Sequence, residues 1–597
     1  MMTQRILIAL MTASMATFAV GCTQDPSAPV EDANAAAADD EDASFILGGK
    51  ADGGGISPCI EQNILAWVND ITVDVEELKA QGVHTRASKR IVAHRDGADK
   101  VPGTEDDNTI DDLKELDDIK YVGPRALEQL TAAVEDRCTA VQVETIFSPQ
   151  PSENSHTTRA VELIEGAQHS IDVAMYSFRD NKVRDALADA VGRGVIVRMI
   201  FQGALDDRRD PEGTASAAFE DRGIDVRYVN KIMHHKFLLV DGPTEDLADA
   251  STAWLLTGSA NFSSSAATRY DENTVVIRGN QELALTFQRE FNHLWDNSRN
   301  FDAGAGLEAS PSLPIEDTDL IDDPNVEAVF TSANFKITQR SQGPTFTRVR
   351  GNQAIADRIV ALIEGATDSI WIASGHLRSR PISEALIKKA DENPQMDIRL
   401  YLDAQEYISD SKQNSQTADL EECLVEAEGS ATRTEDCLTS GYYFSHDAKE
   451  SEGIDVRFKW YSYRWHYRTA IQLHHKYLII DGDTVISGSY NLSGNAEFDT
   501  IENTIVYTGA QYQGLVEDFQ ANFLSIWDTG IEENLYETLM DEILNGTGDV
   551  PIVHSKAMAL TWEQVRDYRS AVNQVCSDVN SAELRNNADR HFFCTRK

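Results

Sequence analysis

Short apolar runs alternate with amphipathic stretches in two parts of the chain, and the order of these elements is the same in both parts. The predicted strands are residues 170–176, 195–200 and 224–228 in the first part and residues 369–373, 397–401 and 453–458 in the second. Amphipathic residues 183–193 read as a helix between two of these strands. Strands that alternate with helices predict a layered α/β fold, so we expect two α/β halves that face each other.

Each part also contains an apolar strand that runs into an Asp-Gly turn and carries polar residues at its start. The two copies are His234-His235-Lys236-Phe237-Leu238-Leu239-Val240-Asp241-Gly242 and His474-His475-Lys476-Tyr477-Leu478-Ile479-Ile480-Asp481-Gly482. Side chains alternate along a strand, so each first histidine shares a face with the lysine of its own copy.

The residues that follow these two strands repeat as well. They are Gly258-Ser259-Ala260-Asn261 with Glu272-Asn273, and Gly488-Ser489-Tyr490-Asn491 with Glu502-Asn503. In both copies the glutamate follows the asparagine of the first group by eleven residues. Chance repetition of this order is very improbable, so the pattern predicts one functional site built from two related halves.

This pattern resembles the phospholipase D superfamily, whose signature is His-x-Lys-x4-Asp followed by Gly-Ser-x-Asn, usually twice per active site. The resemblance covers about residues 143–530. It implies attack on a phosphodiester through a covalent phosphohistidine. By similarity, His234 is the nucleophile and His474 is the general acid and base, although the symmetry of the sequence leaves their order open.

The residue types suit this chemistry. An imidazole titrates near neutrality, so one histidine can attack while neutral and the other can protonate the leaving group. Lys236 and Lys476 would supply positive charge, and we expect hydrogen bonds to the phosphoryl oxygens from Ser259, Asn261, Ser489 and Asn491. With two lysines at the site, we expect the reaction to need no metal ion or other cofactor.

Two pairs of acidic residues accompany the motifs. The signature places Asp241 and Asp481 in the catalytic set, but strand parity puts them off the face of the histidine and lysine. We therefore expect them to hold the turn or a neighbouring histidine rather than to touch substrate. The resemblance implies that Glu272 and Glu502 each orient a histidine from behind.

The chain of 597 residues has a formal net charge of −45. Its length indicates roughly two to four domains. A strongly acidic surface favours solubility and disfavours adhesion to polyanions such as nucleic acids.

The N-terminal residues predict export. In residues 1–21, Arg5 precedes an apolar run, which is the layout of a secretory signal. The run ends Ala19-Val20-Gly21-Cys22, which resembles a bacterial lipoprotein box with Cys22 as the lipidated residue. We expect a cell-envelope lipoprotein of the outer membrane or cell surface; with a plain signal peptide, the protein would be periplasmic or secreted. Residues 22–57 are acidic, with few large apolar residues, and predict a flexible linker.

Residues 58–140 contain two similar helical rounds. They resemble the tandem helix-hairpin-helix unit of bacterial competence DNA receptors, whose hairpins read Gly-apolar-Gly. Here His84 and Tyr121 each replace a glycine, and acidic residues outnumber basic ones. A structural or partner-docking module is therefore our preferred interpretation, and DNA binding is the alternative.

The remaining cysteines fall into local pairs. For an exported protein this order predicts three disulfides, namely Cys59–Cys138, Cys423–Cys437 and Cys576–Cys594. Zinc binding is the rival interpretation, but no Cys-x-x-Cys spacing occurs in the chain.

The second half differs from the first by an insertion at about residues 404–450 and by an aromatic, basic run before its motif. We expect this run to form the rim of the site through Trp460, Tyr463, Arg464, Trp465 and Arg468. There it could cage a choline-like cation, enter a lipid interface or stack on nucleobases. A packed loop beneath the insertion is the alternative.

These features predict a domain order and a reaction. The predicted domains are the helix-hairpin-helix unit, half one at residues 143–298, a linker at 299–325, half two at 326–530 and a helical extension at 531–597. Hydrolysis of a phospholipid head group to give phosphatidic acid is the favoured function, and a metal-independent endonuclease acting on DNA or RNA is second. Phosphatidyl transfer stays open, and the sequence does not define an oligomeric state.

Overall fold

The computed structural model describes residues 56, 58–104, 106–134, 141–301, 312–439, 445–587 and 591–597. The expected signal segment, Cys22 and nearly all of the acidic linker lie outside these residues, as do Cys138 and the side chain of Cys59. No helix in the described ranges is long and apolar enough to cross a bilayer.

The N-terminal unit consists of five helices around a small apolar core. They are α1 (Pro58–Asn69), α2 (Val75–Ala80), α3 (Thr85–Arg95), α4 (Leu113–Asp118) and α5 (Pro124–Val134). The hairpin between α2 and α3 turns at Gly82 with φ +95°, and the hairpin between α4 and α5 turns at Tyr121 with φ +77°. Tyr121 thus adopts the left-handed conformation that glycine usually supplies at such a turn.

The first half is built on an eight-stranded mixed sheet. Its strands, with the short β5, are β1 (Gln142–Ser148), β2 (Ser170–Met175), β3 (Ile196–Phe201), β4 (Asp225–Tyr228), β5 (Ile232–Met233), β6 (Lys236–Val240), β7 (Trp254–Gly258), β8 (Glu272–Arg278) and β9 (Arg299–Asn300). Its helices are α6 (His156–Gly166), α7 (Asn181–Arg193), α8 (Gln202–Asp207), α9 (Ala215–Glu220), α10 (Ser264–Thr268) and α11 (Gln281–Asp296). The strand order is β1-β8-β7-β6-β2-β3-β4-β9, so the motif strand β6 lies inside the sheet.

The second half repeats this sheet. Its strands are β10 (Val326–Phe330), β11 (Phe335–Arg340), β12 (Gly343–Arg348), β13 (Ser369–Ser374), β14 (Leu377–Arg378), β15 (Asp397–Asp403), β16 (Ile454–Ser462), β17 (Lys476–Ile480), β18 (Thr484–Gly488), β19 (Leu492–Ser493), β20 (Thr500–Ile501), β21 (Asn503–Tyr507), β22 (Val550–Pro551), β23 (Val553–Thr561) and β24 (Phe593–Cys594). Its helices are α12 (Ala354–Gly365), α13 (Arg380–Glu392), α14 (Asp410–Glu426), α15 (Ala431–Leu438), α16 (Ser445–Glu450), α17 (Gly494–Asp499), α18 (Gln513–Trp527), α19 (Leu535–Asn545), α20 (Trp562–Val575) and α21 (Ala582–Asn586). The sheet order is β10-β21-β18-β17-β13-β15-β16-β23.

One apolar core joins the two sheets. It includes Phe237 and Phe291 from the first half with Tyr477 and Phe519 from the second, all fully buried. Reciprocal hydrogen bonds cross the same contact: Asn273 Nδ2 donates to Ser487 Oγ at 2.7 Å, and Asn503 Nδ2 donates to Thr257 Oγ1 at 3.0 Å. The predicted α/β fold of two facing halves is therefore confirmed.

The structure departs from the predicted boundaries at two places. Strand β9 pairs with β4, so the first sheet extends into the segment expected to be a linker. Strand β23 pairs antiparallel with β16 and completes the second sheet, so residues 531–597 are not a purely helical extension. In β23 only the C-terminal part of the strand is buried. Its sequence therefore shows a strand-like apolar pattern only at that end.

Two of the three expected disulfides lie within the described residues. Cys423–Cys437 joins α14 to α15 in the insertion, and Cys576–Cys594 closes the C-terminal part. The third pair, Cys59–Cys138, falls outside the described side chains.

Candidate active site

Each motif strand places a histidine at the contact between the two halves. The backbone N–H of His234 donates to the carbonyl of Ile501 at 3.0 Å, and that of His474 donates to the carbonyl of Asp271 at 2.9 Å. Each acceptor is the residue directly before Glu502 or Glu272. The backbone therefore brings each histidine beside the glutamate of the opposite half.

The side chains complete this exchange. His234 Nδ1 lies 2.7 Å from Glu502 Oε1, and His474 Nδ1 lies 2.8 Å from Glu272 Oε2. A carboxylate on Nδ1 leaves Nε2 as the ring nitrogen available to a substrate. The glutamates thus orient histidines, and each one acts across the boundary between the halves.

The two lysines lie beside the histidines in the same buried cluster. Lys236 Nζ donates to the carbonyl of His234 at 2.7 Å, and Lys476 Nζ donates to the carbonyl of His474 at 2.8 Å. Both lysines are almost fully buried. Their positive charges are therefore fixed next to the reactive imidazoles.

Burial and mutual charge set the protonation of this cluster. Burial lowers the pKa of His234 and His474 well below the ordinary histidine value, and the charges of the two lysines lower it further. Burial also lowers the pKa of Lys236 to about 7 and that of Lys476 to about 8. The same desolvation raises the pKa of Glu272 and Glu502 to about 7. The site therefore favours a neutral imidazole, as the nucleophile requires. The negative charge of a bound phosphodiester opposes this shift, so that the second histidine can hold the proton of a general acid.

The motif serines do not face a substrate. Ser259 Oγ donates to Glu272 Oε2 at 2.6 Å, and Ser489 Oγ donates to Glu502 Oε2 at 2.6 Å. Both serines are completely buried. The expectation that they donate to phosphoryl oxygens is corrected, because their hydroxyls hold the glutamates that hold the histidines.

The motif asparagines are half-buried and closer to the open part of the site. Asn261 Oδ1 accepts a hydrogen bond from the backbone N–H of Ser177 at 3.2 Å. Asn491 lines a cleft of about 220 Å³. Their placement is compatible with the expected contact to a phosphoryl oxygen.

The motif aspartates lie at the far end of their strands from the histidines. Asp241 accepts hydrogen bonds from the backbone N–H groups of residues 168–170, and Asp481 accepts them from residues 367–369. Both adopt φ near +50°, which suits a turn. They hold the loop that enters the neighbouring strand and, contrary to their place in the catalytic set, contact neither histidine.

Most of the aromatic run is not a rim. Trp460 and Tyr463 are only 2% and 3% exposed; Trp460 packs against Tyr407, and Tyr463 donates to Asn573 Oδ1 at 3.0 Å. These two side chains belong to the core because β16 is covered by α20. Arg464 is half-buried and donates to Asn580.

The end of the run remains at the surface. Trp465 is 43% exposed and Tyr467 is 55% exposed. Arg468 is exposed and donates to the hydroxyl of Tyr467. Only this part of the run can meet a substrate or a lipid surface.

Two residues near the histidines carry no repeated motif. The Tyr176 ring lies 4.7 Å from the His234 ring, and its face receives Lys236 Nζ at 5.5 Å. His376 hydrogen-bonds to the buried Glu406 at 2.9 Å, and its charge contributes to the lowered pKa of both motif histidines after burial and the lysines. Tyr176 directly follows β2, and His376 lies two residues after β13. Each of these strands pairs with a motif strand, which is the sequence signal that could have identified the two residues.

No group of His, Cys, Asp and Glu side chains in the described part of the chain is arranged to hold a metal ion. The positive charges placed at the site come from the lysines.

Comparison with known proteins identifies the family. A family model described as cardiolipin synthase, phospholipase D-like domain, matches residues 160–295 and 359–527, which is more than half of the chain. The chain belongs to this family. The first matched segment of this phospholipase D-like protein contains His234 and Lys236, and the second contains His474 and Lys476.

Two named proteins resemble the chain over part of its length. A mitochondrial cardiolipin hydrolase of Chlamydomonas reinhardtii is 27% identical and aligns with 31% of this chain and 89% of its own length. A phospholipase D of Rickettsia typhi is 29% identical over 27% of this chain and 71% of its own.

Solved structures resemble it as well. The phospholipase D family member Nuc of Salmonella typhimurium is 30% identical, with a TM-score of 0.22, over 27% of this chain and 97% of its own. A phosphatidylserine synthase of Haemophilus influenzae Rd KW20 is 15% identical, with a TM-score of 0.41, over 75% of this chain and 94% of its own.

Proposed function

We propose that this phospholipase D-like phosphodiesterase hydrolyses a phospholipid head group and releases phosphatidic acid. The observation that carries the proposal is the reciprocal pair of His–Glu contacts, 2.7 Å for His234 with Glu502 and 2.8 Å for His474 with Glu272. Two imidazoles held in this way supply a nucleophile and a proton donor at one site.

The proposed reaction has two steps. His234 Nε2 attacks phosphorus, the bond from phosphorus to the head-group oxygen breaks, and His474 Nε2 gives that oxygen a proton. His474 then takes a proton from water, whose oxygen attacks phosphorus while the bond from phosphorus to His234 breaks. Lys236 and Lys476 stabilise the charge on the phosphoryl oxygens in both steps. An alcohol in place of water would give phosphatidyl transfer from the same intermediate.

Two features favour a lipid as the substrate. The net charge of −45 opposes a large polyanion, whereas a single lipid phosphate enters the site alone. The relatives named as cardiolipin hydrolases and as a phospholipase D support the same choice.

Head-group release from mixed phospholipid vesicles tests this function. We expect turnover in buffer that contains EDTA, and we expect His234→Ala and His474→Ala each to abolish it. His169→Ala, at an exposed histidine away from the site, is the matched control. Substantial activity in either motif variant would contradict a shared site.

The order of the histidines is tested separately. Acid quenching during turnover should trap a phosphorylated peptide that contains His234. A phosphorylated His474 instead would reverse the two roles.

We further propose that the protein is exported and held at a membrane through lipidated Cys22. The sequence Ala19-Val20-Gly21-Cys22 after an apolar run supports this anchor. Cys22→Ser should move the protein from the membrane fraction to the soluble fraction. Retention of this variant in the membrane pellet would defeat the proposal.

A nuclease is the second candidate, and one cluster in the N-terminal unit favours it. Arg86, Arg90 and Lys120 lie 5.3–5.9 Å from the ring centre of Tyr121, which is 50% exposed. Cations around an exposed aromatic ring are suited to a nucleic-acid strand. Cleavage of single- or double-stranded DNA that is lost in His234→Ala, without lipid turnover, would establish this alternative.

A further inference from the structure

His376 forms a further His–Glu pair beside the two that hold His234 and His474. Its Nδ1 lies 2.9 Å from Glu406 Oε1, and Glu406 is fully buried. The contact has the same form as His234 with Glu502, because a buried carboxylate again holds Nδ1. The Nε2 side of the His376 ring is thereby turned away from its carboxylate.

The backbone connects this pair directly to the active site. Ser374 pairs with Lys476 in the sheet, and the N–H of Gly375 donates to the carbonyl of His475 at 3.2 Å. A side chain at Gly375 would approach the carbonyl oxygen of Leu473 to 2.9 Å. The glycine therefore allows the segment that carries His376 to lie against the segment that carries His474.

The His376 ring is 22% exposed and opens onto the cleft of about 220 Å³ that Asn491 also lines. The lining residues are His376, Arg378, Asn491, Ser493, Gly494 and Asn495. None of them is acidic, although the protein carries a net charge of −45. This lining suits an anion better than an acyl chain or a choline-like cation.

Glu406 remains charged beneath this cleft. Burial raises its pKa, but the hydrogen bond and charge of His376 and the charge of Arg378 together bring the pKa below the ordinary glutamate value. An ionised carboxylate on one side of an imidazole ring and a phosphate on the other both favour a ring that carries N–H donors on both nitrogens.

The pair is specific to the second half. Phe178 pairs with Phe262 in the first half in the same way as Leu377 pairs with Leu492 in the second. Ser177, which precedes Phe178, is therefore the counterpart of His376, which precedes Leu377. The motif chemistry, which needs one histidine from each half, is complete without His376. The proposed reaction therefore leaves the His376–Glu406 pair without a role.

We propose that His376, held by Glu406, binds a second and non-reacting phosphate of the substrate. The inference rests on the proposed lipid phosphodiesterase activity and deepens it. The preferred substrate would be a lipid in which a short polyol bridges two phosphodiesters, one at His234 and His474 and the other in the cleft of His376.

The test compares two lipids in phosphatidylcholine vesicles. The first is a glycerol-bridged diphospholipid, and the second is phosphatidylglycerol, which has the glycerol but only one phosphate. For His376→Ser, which installs the residue of the first half, we expect KM for the diphospholipid to rise about tenfold or more. Any change in kcat, through the charge that His376 places near the motif histidines, should be the same for both lipids. KM for phosphatidylglycerol should not change, because this lipid has no second phosphate.

Two further variants keep the result interpretable. His169→Ser makes the same substitution at an exposed position and should behave as the wild type. His376→Gln preserves a hydrogen-bond donor and should restore part of the lost affinity. An equal rise in KM for both lipids would overturn the proposal, and so would wild-type kinetics in His376→Ser.

Calorimetry separates this proposal from the proposed function. Glycerol 1,3-bisphosphate should bind the wild-type protein more tightly than inorganic phosphate does, and His376→Ser should remove the difference. If no lipid is hydrolysed, the proposed function fails while this measurement still decides the second phosphate site. Equal binding of the two ligands to the wild type, or a His376-dependent preference for a short single-stranded oligonucleotide over the bisphosphate, would overturn the inference.

Discussion

At the scale of the residue, the central finding is that each motif histidine is oriented by a glutamate from the other half. The charge and hydrogen bonds of Glu272 and Glu502 fix which ring nitrogen reaches the substrate. The buried serines act one step further away, since Ser259 and Ser489 each donate to one of these glutamates at 2.6 Å.

Replacing Glu502 should weaken catalysis and alter its pH dependence. Glu502→Gln should lower kcat on the order of 10³-fold, because His234 loses the carboxylate that fixes its tautomer. Loss of a negative neighbour also lowers the pKa of His234, so the acid limb of the kcat/KM profile should move to lower pH. The pH-rate profile measures both effects, with exposed Glu153→Gln as the control. An acid limb shifted to higher pH would contradict this assignment.

A double-mutant cycle tests the corrected role of Ser259. If its hydroxyl acts by holding Glu272, then Ser259→Ala combined with Glu272→Gln should be no slower than Glu272→Gln alone. If Ser259 instead contacts the phosphate itself, the two losses in kcat/KM should multiply. Steady-state kinetics of the four proteins distinguishes these cases.

At the scale of the element, a buried polar network positions the two strands that lie on one side of the first motif strand. Asp172 in β2 and Arg198 in β3 form an ion pair at 2.6 Å with both side chains 2% exposed. Gln288 and Asn292 of α11 bind the same two side chains. This network fixes α11 against the sheet and therefore supports the contact between the halves.

Breaking the network should destabilise the fold. Asp172→Ala leaves Arg198 charged and unpaired in the core, so we expect a loss of about 3–5 kcal/mol in the free energy of unfolding. Asp185→Ala, which removes an exposed carboxylate paired with Arg184, should have little effect. Urea denaturation measures the difference. A stability equal to that of the wild type would show that the pair is not needed.

At the scale of the whole molecule, the site exists only where the two halves meet. The cross-half contacts include the parallel pairing of β5 with β20 and the shared apolar core. Each half by itself contains a histidine without its glutamate and a glutamate without its histidine.

Separate expression of the halves tests this dependence. Residues 58–301 and 312–597 should each be inactive alone, and co-expression should restore phosphodiesterase activity because the contact buries extensive apolar surface. His234→Ala in the first chain should abolish the restored activity. Turnover by one half alone would contradict a site that requires both.

Much of the site could be predicted because the chain presents its chemistry twice. The order of His234, Lys236 and Glu272 recurs in the second half, and repetition separates functional residues from ordinary polar ones. Strand parity also predicted that Asp241 and Asp481 lie away from the histidine face. These residues resemble the signature of the phospholipase D superfamily, and the comparison with known proteins confirmed a phospholipase D-like family.

The aromatic run could not be interpreted in the same way. Trp460 and Tyr463 are as polar and aromatic as a rim would require, yet they are buried by α20 and its neighbours. Whether a side chain of this type is covered depends on an element more than a hundred residues later in the sequence.

By itself, the sequence determined the two α/β halves, the paired motifs and the kind of reaction, because these depend on local periodicity and on residue type. Only the tertiary structure decided which glutamate serves which histidine, where the serines point and that His376 joins the site. Those relations are contacts between residues that are distant along the chain. They arise from how the two sheets pack, and local sequence pattern does not encode that packing.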